Sequence, residues 1–174
     1  HSGEGDGWDI NRPSMSSILM YQGECFLIDA PPNIDQILTH LGIDLSEVKG
    51  IFHTHAHDDH FAGLTTLMRA GHRIKYYATA LVRNSVSKKL SALTGIKSTR
   101  FDQFFDVQNL VIDHWNDCNG LEVKPLYSPH PVENNIFLFR TLGQEGYCSY
   151  AHWADLTSFN VLDSMATSTE SIQV

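Results

Sequence analysis

Four histidines and two aspartates stand within the eight residues from His53 to His60, in the stretch FHTHAHDDHFAGL. The cluster follows VKGIF, a short and mostly apolar run that reads as a strand, and it precedes an apolar segment. A chain with this order delivers its polar ligands where a strand ends and a helix begins. In extended backbone, residues two apart point the same way. His55 and His57 can therefore reach one ion together. Once the chain turns into the helix, Asp59 and His60 point elsewhere and can hold a second ion beside the first. Imidazole and carboxylate suit zinc, iron or manganese. A solvated loop with chance histidines would not need this spacing.

The rest of the chain reads as strands and helices in irregular alternation. SMSSILMYQG and ECFLIDAPP read as two strands joined at Gln22-Gly23. NIDQILTHL, Asn33 to Leu41, has apolar residues at helical spacing, with Pro31-Pro32 before it and Gly42 after it. FAGLTTLMRAG predicts a helix ended by Gly71, and Leu81 to Leu93 predicts another. IKYYATA, LEVKPLYSPH, NIFLFRTL and GYCSYAHWAD read as further strands, the last two joined through Gly143 to Gly146. SFNVLDSMA begins a helix with Thr157 or Ser158 as its cap. Sheets covered by helices, with active residues at strand ends, follow from this order.

The length of 174 residues is that of one domain, residues 1–174, and 42% hydrophobic residues supply a real core. A net charge of −8 argues against a large nucleic-acid partner. Cys25, Cys118 and Cys148 are far apart and form no C-x-x-C pair. They read as isolated buried thiols, which favours a reducing compartment and a cytoplasmic protein. No apolar run approaches membrane-spanning length, and no signal peptide is visible, although the chain starts at His1 and a native start could have been removed.

THAHDDH resembles the H-x-H-x-D-H signature of the metallo-β-lactamase superfamily, and Thr54 and Gly63-Leu64 match common usage beside it. The likeness extends along the chain. FLIDAPP supplies an aspartate after an early strand, Asp29. LYSPHP supplies a later histidine, His130, 73 residues after His57. YAHWAD supplies Asp155, 25 residues further on. This resemblance implies an α/β protein, a four-layer αββα sandwich with two divalent ions at the sheet edge. His55, His57 and His130 would hold the first ion and Asp59 and His60 the second. Asp155 would bridge them, and Asp29 would orient the ligand loop by hydrogen bonds. Zinc is the expected metal, with iron or manganese as alternatives.

Two departures stand out. The family usually has a last histidine for the second ion well beyond the bridging aspartate, but only 19 residues follow Asp155 and none is histidine. The expectation is a chain lacking its C-terminal part. A natural site with one ligand fewer, or with one ligand from another chain, is the alternative. His130 also sits in PHPVENN rather than in a glycine-rich, threonine-containing loop.

The resemblance implies a hydrolase that uses a metal-bridging hydroxide, with Asp59 also holding the nucleophile's proton. Two divalent ions, Asp59, Asp155 and one hydroxide leave a centre of about +1, which attracts a small anionic substrate. Aspartate at position 155, where the main zinc β-lactamases have cysteine, argues against that class. Histidine at position 57 argues against the flavodiiron branch, which typically has glutamate there. SPHPVENNIFLFR followed by YAHWAD is similar to a bacterial cyclic-nucleotide-phosphodiesterase-like branch, so a small phosphodiester is the expected substrate. A di-iron oxygen-binding or redox protein, or a non-catalytic ligand-binding sensor, is the alternative.

The other singled-out residues have plainer expectations. His53 reads as packed or hydrogen-bonded, and Asp58 as solvated. His152 is a substitute ligand only as a minority reading. His40, His72 and His114 read as surface residues. Phe61 and Trp153 read as core rather than pocket lining.

Overall fold

The computed structural model describes residues 5, 9, 11–158, 160, 161, 163 and 164. Strands β1 (Ser17–Tyr21) and β2 (Glu24–Ile28) form the expected hairpin, with Gln22 and Gly23 at φ 51° and 80°, the left-handed pair a tight two-residue turn requires. Helix α1 (Ile34–Leu41) buries Ile34, Ile37 and Leu38 and ends at Gly42, whose φ is 69°. Strand β3 (Val48–Phe52) leads into the histidine cluster. Strand β4 (Ile74–Thr79) and helix α4 (Ala80–Thr94) follow as the sequence predicts.

The helix expected over residues 61–71 is instead two short pieces, α2 (Asp58–Phe61) and α3 (Leu64–Leu67). The break has its cause elsewhere in the chain. Gly63 N donates to Ala30 O at 2.9 Å instead of continuing the helical ladder. A Cβ at Gly63 would stand 2.1 Å from Pro31 O, so only glycine permits this approach. The same approach ties the motif helix to the turn after β2.

Helix α5 (Phe101–Phe104), strand β5 (Phe105–Leu110) and strand β6 (Asn116–Cys118) have no counterpart in the sequence reading. Strands β7 (Leu121–Ser128), β8 (Asn134–Gly143) and β9 (Gly146–His152) match the expected runs, though β7 stops two residues short of His130. Residues 160, 161, 163 and 164 are helical, and the rest of the helix predicted over 158–166, apart from Ser158, lies outside the described residues.

Strands β1 to β5 form one sheet in sequence order, and β6 to β9 form a second. Strands β2 to β5 are parallel, and parallel strands need apolar residues on both faces. Phe26, Ile28, Phe52 and Tyr77 face the second sheet and pack on Val123, Phe137 and Phe139. Leu27, Ile51, Tyr76 and Ala78 face the helices and pack among Ile34, Leu64, Val82 and Val86. The outer face of the second sheet carries the Arg140–Glu122 pair, with the guanidinium 3.8 Å from the Trp115 ring centroid. Cys25 and Cys118 are buried as expected, but Cys148 is exposed, because it lies on β9, whose first five residues are all exposed.

Candidate metal centre

Each residue that the resemblance implies for the site follows the C-terminal end of a strand. Asp29 follows β2, His55 to His60 follow β3, His130 follows β7 and Asp155 follows β9. One ligand atom from each of His55, His57, His130 and Asp155 lies within 4.8 Å of all the others. His57 Nδ1 is 3.1 Å from His55 Nε2 and 3.0 Å from His130 Nε2. Nitrogens bound at 2.0–2.1 Å to one tetrahedral ion stand about 3.3 Å apart. Three ring nitrogens converging this closely match a cation between them.

Asp155 divides its carboxylate between two groups. Its Oδ2 is 3.7 Å from His55 Nε2 and 3.8 Å from His130 Nε2. Its Oδ1 is 3.5 Å from His60 Nε2, which is itself 3.5 Å from Asp59 Oδ2. The donors thus fall into two sets that share one carboxylate. His55, His57 and His130 form one, Asp59 and His60 the other. His55, His57, His130 and Asp155 lie close enough together to hold a metal ion.

Beneath the ligands runs a chain of hydrogen bonds. Asp29 is buried and accepts from Thr54 N at 2.8 Å and from the Thr54 hydroxyl at 2.6 Å. The Thr54 hydroxyl is also 2.9 Å from His55 Nδ1, so that ring donates Nδ1–H and turns its bare Nε2 to the cluster. His60 Nδ1 donates to Asp29 Oδ2 at 2.8 Å, which likewise aims His60 Nε2 at the carboxylates. Asp29, His55 and His60 also lie close together, but both Asp29 oxygens are engaged by Thr54 and His60. Hydrogen bonds through Thr54 and His60 hold that group together. Sequence reasoning missed Thr54 in this role, although a hydroxyl flanking the motif was a usable signal.

Two backbone positions around the centre are strained. Asp29 has φ 63° and Ala154 has φ 52°. Non-glycine residues there cost about 1–2 kcal/mol, a cost that clusters at functional sites. The Asp155 carbonyl is held by Asn134 Nδ2 at 2.6 Å, which fixes the loop that Ala154 turns.

The titration behaviour follows from burial and charge. Burial lowers His55 to about 3, and it also lowers His130. Burial alone would raise Asp29, but the His60 charge and hydrogen bond hold it well below the carboxylate range. Burial would lower His60, but Asp29 and Asp155 overcome this and raise it to about 10. In the metal-free protein His60 therefore carries a proton at neutral pH, at the nitrogen that faces Asp59 and Asp155. An ion there must displace that proton, so its affinity rises with pH up to about 10. Calorimetry in buffers of different ionisation enthalpy should show a proton released when an ion binds at His60, with an affinity that rises with pH. Affinity flat between about pH 6 and 9 contradicts this assignment of the His60 proton.

The remaining singled-out residues sort by burial. His53 is fully buried, with neither ring nitrogen hydrogen-bonded to a protein group. Burial lowers it to about 4, so it packs as a neutral ring, with Nε2 4.0 Å from Asp29 Oδ1. His152 is buried with Nδ1 3.3 Å from the Tyr150 hydroxyl. His40, His72 and His114 are exposed, and Phe61 is core. Trp153 is 58% exposed, against the expectation of a core position, because it lies beyond the end of β9 and outside both sheets. Asp58 is exposed but pairs with Lys89 Nζ at 2.5 Å.

Residues 2–165 match the family model described as Anti-Pycsar protein Apyc1. The chain belongs to this family. The Apyc1-family chain is also 25% identical over 162 residues to the cAMP/cGMP-dependent 3′,5′-cAMP/cGMP phosphodiesterase B of Dictyostelium discoideum. That match covers 92% of this chain but 15% of the relative. Among solved structures, the metallo-β-lactamase fold protein YhfI from Bacillus subtilis superposes with a TM-score of 0.69 at 15% identity, covering 95% of this chain and 64% of that one. A diphosphatase of the PhnP family gives 0.58 at 21% identity, covering 74% and 49%. The short form of human tRNase Z gives 0.59 at 17% identity, covering 87% and 67%. The Apyc1-family chain thus has the metallo-β-lactamase fold, and it is short relative to these proteins. Among the described residues, no helix is long and apolar enough to cross a membrane.

Proposed function

We propose that the chain is a binuclear metal-dependent hydrolase of a small phosphodiester, with a 3′,5′-cyclic nucleotide as the first candidate. The observation that carries this reading is the division of the Asp155 carboxylate between a three-histidine set and the Asp59–His60 pair. The phosphodiesterase named among the relatives supports the substrate class. Two bound divalent ions, zinc foremost, would supply an activated water and polarise the phosphoryl group.

The chain's own residues do the rest. Asp29 and Thr54 fix the tautomer and direction of His55, and Asp29 does the same for His60. Asp59 is partly exposed and accepts the proton of the attacking water. In a chain of net charge −8, the cationic centre concentrates attraction for an anion at one point, which favours a compact substrate over a long polyanion.

Asp59→Asn is expected to reduce kcat by roughly a hundredfold or more with a smaller effect on KM, as the loss of a group that acts in the reaction step. The assay uses a 3′,5′-cyclic nucleotide, an aryl phosphodiester and a thioester, each with zinc, manganese or iron, and with second-ion occupancy measured in parallel. Turnover of the thioester alone would overturn the substrate class. No turnover, with iron bound and reaction with oxygen, would favour the di-iron reading.

A further inference from the structure

We infer that Lys89 is a positioning residue for the metal centre, and that helix α4 sets the spacing between His57 and His130. This rests on the reading of His55, His57 and His130 as metal ligands. Lys89 lies 32 residues beyond His57 in the sequence, on the third turn of α4. Its ammonium makes three contacts, all with the ligand segment. It donates to Ala56 O at 2.7 Å and to Asp58 Oδ1 at 2.5 Å, and it stands 5.1 Å from the Phe61 ring centroid.

Ala56 is the residue between His55 and His57, and it is buried. A buried carbonyl needs a donor, and Lys89 provides it. His57 is the residue from which α2 starts, with extended backbone at φ −73° and ψ 151°, and its side chain caps nothing in that helix. The direction of its ring is therefore set by the backbone on either side of it, which Lys89 holds through the Ala56 carbonyl before His57 and through the Asp58 side chain after it. An ammonium carries three donors, so one side chain can serve both oxygens.

The second ligand loop is tied to the same helix one turn earlier. Ser85 Oγ donates to Glu133 Oε2 at 3.2 Å, in the loop that carries His130. Residues four apart share a helix face. Val82, Val86 and Leu90 anchor the adjoining face of α4 in the core. Two loops from two sheets are thereby referenced to one rigid rod, and His57 Nδ1 and His130 Nε2 end 3.0 Å apart. A surface ion pair alone would do little, and the Asp58 partner is 80% exposed. The contact that matters is the one to Ala56 O.

The test measures affinity for the first zinc ion by competition with a chromophoric chelator, together with the cobalt absorption spectrum and the melting temperature of the metal-free protein. Lys89→Met is expected to weaken the first ion by roughly 10–100-fold, the usual cost of losing a partner that orients a ligand. Its cobalt spectrum should change while the metal-free melting temperature shifts by only a few degrees. Asp58→Asn, which keeps the bond to Ala56 O, should weaken the ion by less than about threefold. Zinc affinity within about twofold of wild type in Lys89→Met, with an unchanged cobalt spectrum, overturns the proposal. So does an equal loss in Asp58→Asn. Wild-type protein that binds no zinc would instead overturn the metal-centre reading beneath it.

Discussion

Replacing His57 with alanine is expected to abolish tight binding of the first ion. His57 Nδ1 is the atom common to both short nitrogen approaches, 3.1 Å to His55 and 3.0 Å to His130. Without it the first set keeps two nitrogens and one shared carboxylate oxygen. The loss should exceed the roughly 10–100-fold that removing an outer partner costs. Metal that binds only the folded state stabilises it by about 2.7 kcal/mol at a hundredfold excess over Kd. Thermal melts should therefore show a clear zinc-dependent rise for the wild type and a much smaller one for the variant. The metal-free proteins should melt within a few degrees of each other, because His57 is only partly buried.

The largest effect on folding should come from Asp29→Ala. That carboxylate receives Thr54 N, the Thr54 hydroxyl and His60 Nδ1 at 2.8, 2.6 and 2.8 Å, all in a buried setting. Removing it leaves a buried imidazole charge and two buried donors without partners. Breaking a buried pair in this way costs about 3–5 kcal/mol. For a chain of this size that is a fall in Tm of roughly 6–20 °C. Alanine is also a poor occupant of the φ of 63° at this position. Asp29→Asn tolerates that backbone and keeps the shape, so it should fold better than Asp29→Ala and still bind the second ion less tightly. Urea unfolding of the metal-free proteins checks the order, and equal stability of the two variants would contradict it.

Within the candidate ligand set, the His55–His60 part was legible from short-range rules, whereas His130 and Asp155 were legible only through the family resemblance. Alternation in extended backbone pairs His55 with His57, and the turn into α2 sends Asp59 and His60 to the other side. The Gln22-Gly23 turn and the boundaries of α1 were legible for the same reason, since left-handed φ and proline act locally. Long-range approach was not. Gly63 looked like an ordinary helical glycine until the Ala30 and Pro31 carbonyls were found against it. Lys89 looked like one more polar position on α4, and its target lies 33 residues back. Strand β5 escaped because FDVQNL buries only its ends, and β6 because three polar-leaning residues carry no pattern. Thr54 was legible as a motif neighbour, but its bond to both Asp29 and His55 depends on the meeting of β2 and β3.

The central claim is that this chain assembles two metal sites around one shared aspartate. Elemental analysis of purified protein, made with no added metal and then equilibrated with zinc, tests it most directly. The account predicts two ions per chain for the wild type, the second released first by a chelator. For His57→Ala it predicts loss of the tightly held ion. A folded wild-type protein that neither retains nor takes up a divalent metal would contradict it, as would a His57→Ala variant with unchanged metal content.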